Sequence, residues 1–151
     1  MTASTETIVV GVDGSEGAAA ALEFAAGEAA FRGARLRIMS AWQVPVAAYG
    51  VHFAPLDSST VDAFREAAQH VADDALAAVR KQWPSLGAEA LVVQGHPTDV
   101  LLDQAAEARL IVVGRRGLGG FRSLLLGSVS QQVVQHATCP VVVVNQPATA
   151  S

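Results

Sequence analysis

Ile8-Val9-Val10-Gly11-Val12, followed by Asp13-Gly14-Ser15, is the stretch on which the fold turns. The run is apolar, β-branched and continuous rather than alternating, which suits a strand buried on both faces. Asp13-Gly14-Ser15 stops it. Ser15 then reads as a helix N-cap, Glu16 complements the helix dipole, and an alanine-rich stretch to Phe31 closes at Gly33.

The alternation continues along the chain. Leu36–Trp42 reads as a second strand, and residues 44–59, with Pro45 and Pro55, read as a long loop. Val61, Phe64, Ala68, Val71, Ala75 and Val79 fall on one face of a helix that Pro84 ends. Ala88–Gln94 is a third strand, and His96-Pro97 opens a short helix carrying Val100, Leu101, Ala105 and Ala108. The fourth strand, Leu110–Val113, runs into a glycine-rich stretch from Gly114 to Gly127. A helix from Ser128, with Val129, Val133 and Ala137 on one face, precedes a fifth strand, Val141–Val144. Strands alternating with helices argue for an α/β fold: a parallel sheet covered by helices on both faces. No internal repeat or linker divides the chain, so one domain is expected over 1–151, with an ordered core of about 6–146 and a frayed tail.

Composition narrows the function. Of 151 residues, 51% are hydrophobic and 16% charged, which excludes intrinsic disorder. A net charge of −4 disfavours nucleic acid and anionic membrane as partners. The single cysteine, Cys139, rules out a disulfide within one chain and reads as a small packed hydrophobe. No run approaches the roughly 18 apolar residues of a spanning helix. Met1–Thr7 carries no basic region of the signal-peptide kind, so a soluble cytoplasmic protein is expected.

Ligands of such sheets bind beyond the carboxyl ends of the strands, where the strand order reverses. That rule selects the loops after the first and fourth strands. Glycines between 114 and 127 allow close backbone approach, and Gly127-Ser128-Val129-Ser130 leads into a helix N-terminus that favours an anion. The hydroxyls of Ser128 and Ser130 are additional donors. The stretch matches neither G-x-x-x-x-G-K-[ST] nor G-x-G-x-x-G after the first strand. On spacing alone, a phosphate cradle and a structural turn both remain open.

Gly114-x-x-Gly117, nine residues, then Gly127-Ser128 resembles the nucleotide-loop motif of the universal stress protein family. Val10-Gly11-Val12-Asp13-Gly14-Ser15, Gly95-x-Pro97 and the run from Gly127 to Val141 extend the likeness over nearly the whole chain. The resemblance implies a Rossmann-like three-layer sandwich: a five-stranded parallel sheet of order 3-2-1-4-5 with four helices, dimeric and of the ATP-binding branch. It implies that Asp13 meets the ribose or a bridging Mg²⁺, with Val12 and Ser15 beside it. Ala41 matches the position whose backbone meets the adenine edge, where a larger aliphatic residue is common. Gly114 and Gly117 match the positions flanking the phosphates, and Gly127, Ser128, Val129 and Ser130 those that hold the terminal ones. Arg115 stands where a small residue is usual, and reads as a surface ion pair or an added phosphate charge.

The four histidines, at 52, 70, 96 and 136, show no ligand spacing. His96 reads as a cap, and His136 lies too far along its helix from Ser128 to act as its base. No catalytic residue is assigned, and only slow hydrolysis is expected. Under the implied order, Val141–Val144 is an apolar edge strand, which two copies would satisfy by pairing antiparallel. The function that the resemblance implies is an ATP-binding stress-response regulator with little or no catalysis: a dimeric nucleotide-dependent switch, with Mg²⁺ on the ATP and a protein partner reading its state. The alternatives are a slow ATPase or nucleotidyl-transfer enzyme, and a dimeric interaction module binding another adenine nucleotide. Replacing Gly117 by a bulky residue is expected to abolish nucleotide binding by calorimetry while leaving the sedimenting dimer intact.

Overall fold

The computed structural model describes residues 5–44, 57–115 and 126–146. Strand β1 (Thr7–Val12) leads to helix α1 (Glu16–Arg32) and strand β2 (Arg35–Trp42). Helix α2 (Ser58–Gln82), strand β3 (Ala88–Gln94) and helix α3 (Pro97–Gln104) follow. Strand β4 (Leu110–Gly114), helix α4 (Ser128–His136) and strand β5 (Val141–Val144) complete the order. The five strands form one parallel sheet of order β3-β2-β1-β4-β5, as the resemblance implies.

β1 sits at the centre, with Ile8 in register with both Leu36 and Leu110, and Val10 with both Ile38 and Val112. Because side chains alternate across a strand, the apolar run of β1 supplies two cores at once. Ile8, Val10 and Val12 join Leu36, Ile38 and Val112 beneath α1 and α2, where Ala21, Ala25, Ala29 and Val79 meet them. Val9 joins Met39, Ile111 and Val113 on the other face, against Val100, Leu101 and Ala105 of α3 and Val133 of α4. Cys139 is half-buried against this second cluster, and burial raises its thiol pKa.

The caps fall where the residue chemistry puts them. Ser15 Oγ accepts from the Ala18 N–H at 3.1 Å, and Gly33, at φ 68°, closes α1 in the left-handed conformation. His96 caps α3, its Nδ1 accepting from the Thr98 N–H at 3.2 Å, with Pro97 in the first turn. Two boundaries differ from the sequence reading. α2 begins at Ser58, before the apolar stripe, because the Asp57 carboxylate caps it by accepting from the Ser59 N–H and hydroxyl. α3 ends at Gln104, and Ala105 and Ala108 pack from the turn that follows rather than from the helix. Of the 44–59 loop, residues 45–56 lie outside the described residues, as does the tail from 147.

Thr98, in the first turn of α3, is 4% exposed, and its hydroxyl has no hydrogen-bond partner among the described residues. A buried hydroxyl without a partner costs stability that an isosteric methyl does not. Thr98→Val is therefore expected to raise the unfolding free energy by about 1 kcal/mol, read from the urea midpoint at constant slope.

Candidate functional site

β1 hands the chain to β2 on one side, while β4 lies on the other, so the strand order reverses between β1 and β4. A cavity of about 280 Å³ opens at this point, above the carboxyl ends of β1, β2 and β4. Its position is the one the topology of open α/β sheets dictates.

The turn leaving β1 is held by a short hydrogen-bonded loop. Asp13 Oδ1 accepts from the Ser15 N–H at 2.9 Å, and Gly14 between them takes φ 84°, which side chains resist. Val12, Asp13 and Ser15 all line the cavity, together with Ala18 from the first turn of α1. From β4 come Val113 and Gly114. A Cβ on Gly114 would lie 2.6 Å from the Gly17 oxygen and 2.7 Å from its carbonyl carbon. The glycine is thus required for the end of β4 to lie against the first turn of α1, independently of any ligand.

The opposite end of the cavity is the N-terminus of α4. Gly127 occupies the N-cap and no side chain caps this helix, while Ser128, Val129 and Ser130 of its first turn line the cavity. Helix amides and the dipole favour an anion here. Ser128 is exposed, whereas Ser130 is 3% exposed and its hydroxyl lies 2.9 Å from the Arg115 carbonyl oxygen. Arg115 does not line the cavity. Its backbone N–H donates to the Val144 oxygen at 3.0 Å, and its carbonyl accepts from the Gly127 N–H at 2.7 Å. Gly117 lies outside the described residues.

A third wall is apolar. Met39 and Ala41 of β2 face Pro97, Val100 and Leu101 of α3, with Gly11 at the base. Met39, Val100, Leu101 and Val113 read in the sequence as ordinary core, and they are core, since the cavity floor is the open end of the second cluster. Ala41 was legible from the resemblance. Met39, two residues earlier on the same face of β2, carried the only signal by which the wall could be extended. The cavity therefore joins an apolar slot to an anion-favouring end, which suits an aromatic base bearing phosphate.

His96 is a cap, His70 and His136 are exposed, and His52 lies outside the described residues. Among the described residues no group of three or more His, Cys, Asp or Glu could hold a metal, and no helix is long and apolar enough to cross a membrane.

A sequence model of the Universal stress protein family matches residues 4–145. The chain belongs to this family. A universal stress protein from Thermus aquaticus is 38% identical over 143 residues, covering 92% of this chain and 98% of its own length. The chain spans about half the length of the Mycolicibacterium smegmatis and Mycobacterium tuberculosis universal stress proteins it matches, at 34% and 33% identity. Among solved structures, a universal stress protein in complex with cAMP superposes with a TM-score of 0.71 at 26% identity, covering 95% of this chain and 99% of that one. A universal stress protein from Archaeoglobus fulgidus in complex with dAMP gives 0.63 at 26%, covering 91% and 96%.

Gly114→Ala is expected to destabilise the fold by about 3 kcal/mol, the upper end for overpacking, because the obstructing atoms are backbone and cannot rotate away. Urea unfolding of the variant beside the parent checks this.

Proposed function

We propose that this chain is an ATP-binding regulatory protein that works in the cytoplasm as a nucleotide-dependent switch, with little or no catalysis. The observation that carries the reading is the uncapped first turn of α4 at one end of an apolar cavity placed where the sheet order reverses. The base would lie in the slot between Ala41 and Met39 on one side and Val100 and Leu101 on the other. Phosphate would meet the amides of Ser128, Val129 and Ser130, with the Ser128 hydroxyl as side-chain donor. Asp13, a lining carboxylate, would repel a bare triphosphate and is suited to a ribose hydroxyl or to Mg²⁺ carried on the phosphates.

The non-catalytic part of this proposal is supported by the polar groups that line the cavity among the described residues. Ser15 is engaged as a cap, Asp13 receives an amide, and neither described exposed histidine lines the cavity. A self-pairing interface is proposed along β5, whose four valines are half-buried and which ends the sheet. Pairing there would remove an apolar edge from water. The state of the site would be read by a further protein.

A second reading is favoured by the complexes of the two structural relatives, both with adenosine monophosphates. In it, the cavity takes a monophosphate in preference to ATP.

Calorimetric titration of ligand-stripped protein with ATP, ADP, AMP and cAMP, with and without Mg²⁺, separates these readings. The switch predicts ATP as the tightest ligand, with little product after prolonged incubation. Preference for a monophosphate selects the second reading, rapid hydrolysis overturns the non-catalytic one, and no binding removes both.

A further inference from the structure

We propose that a second copy of this chain, paired along β5, is gripped on both faces of the sheet, by Phe24 of α1 on one and Val134 of α4 on the other. This rests on the self-pairing reading of β5 and adds to it the side chains that give the contact its area.

Four large apolar side chains stand exposed among the described residues: Phe24, Phe31, Leu91 and Val134. Three of them belong to α1 and α4, which pack on the two faces of β5. Val142 and Val144 join the cluster that α1 covers, while Val141 and Val143 join the one that holds Val133 of α4.

Helix geometry turns these exposed residues toward the β5 edge. Gly17 lies against Gly114, which is in register with Val144. Phe24 and Phe31 follow Gly17 at seven-residue steps, two and four turns along the same stripe of α1. Phe24 is about 10 Å along the helix from Gly17, within the roughly 13 Å that four strand residues span. Ser130 likewise marks the β5 side of α4, since its hydroxyl donates to the Arg115 oxygen and the Arg115 N–H donates to the Val144 oxygen. Val134 lies one turn further along that side.

The chemistry of this edge does nothing to repel a neighbour. Residues 128–144 contain no Asp, Glu, Lys or Arg, whereas charge is a common guard on edge strands that stay unpaired. A second copy fits because a two-fold axis normal to the sheet sets β5 antiparallel to β5. That axis also keeps both α1 helices on one face and both α4 helices on the other. Each exposed side chain is thereby brought to the seam twice. Strand pairing over about 13 Å covers only a fraction of the roughly 800 Å² per partner of a stable interface. Phe24 and Val134 supply apolar area on either side of it.

The test measures dimer dissociation constants by sedimentation for the parent, Phe24→Gln, Val134→Gln and Leu91→Thr. Glutamine keeps helix propensity, and Leu91, exposed on the opposite edge strand β3, is the control. Phe24→Gln and Val134→Gln should each weaken the dimer about tenfold or more, since each change occurs twice across the axis. Leu91→Thr should associate as the parent does. A variant that loses its helical circular dichroism has lost the fold, and Phe24→Ala or Val134→Ala takes its place with the same expectation. Parental association in both helix variants would overturn the proposal but not the self-pairing reading. Weakening in only one of them would confine the contact to one face and overturn the two-sided grip. Weakening by Leu91→Thr would move the contact to β3 and overturn both. A parent that stays monomeric at about 100 μM would remove the self-pairing reading, and the grip with it.

Discussion

Between the end of β4 and the first turn of α1, two backbones come so close that a Cβ on Gly114 would sit 2.6 Å from the Gly17 oxygen. That approach brings the N-terminus of α1 over the carboxyl end of the sheet, beside the point where the strand order reverses. Ser15 and Ala18 reach the cavity because α1 lies that low, and Val113 and Gly114 form its floor for the same reason. A second small residue repeats the device on the other face. A Cβ on Gly11 would be 3.0 Å from Leu101 Cδ1, so the missing side chain lets α3 settle onto β1.

The packing around this contact explains why α1 is built from alanine. Ala18, Ala21, Ala25, Ala26 and Ala29 are buried, with Gly17 at the point of closest approach. Small side chains let a helix lie near a sheet, so the same sequence feature that gives the helix its propensity also sets its height. The two faces of β1 divide the apolar core between the helix layers, the larger share lying beneath α1 and α2. Both layers therefore press their helix N-termini toward one end of the sheet, where α1, α3 and α4 all contribute first-turn residues to the cavity. Fold stability and the anion-favouring character of the site come from a single arrangement.

Much of this was legible in the residues. The continuous apolar run of β1, the Ser15 and His96 caps and the stop at Gly33 follow from local chemistry, and the structure has them where that chemistry puts them. The start of α2 was less clear, because a cap is read from Asp57 and its serines rather than from the apolar stripe that begins at Val61. The extent of α3 was also misjudged, since Ala105 and the half-buried Ala108 pack against the core from beyond the helix, and periodicity alone does not separate the two. At the site, the glycine and serine positions stood out by type, whereas Met39, Val100, Leu101 and Val113 were indistinguishable from core.

The sequence by itself determined the alternation of elements, the capping of α1 and α3 and the family to which the chain belongs, because these depend on residues near one another along the chain. Only the tertiary structure decided which apolar side chains stop at the core and which border the cavity, since that depends on where the sheet ends. It also decided what the marked residues do. Gly114 makes room for a helix backbone, and Ser130 donates to Arg115 fifteen residues away, a contact that exists only once β4 and α4 are brought side by side.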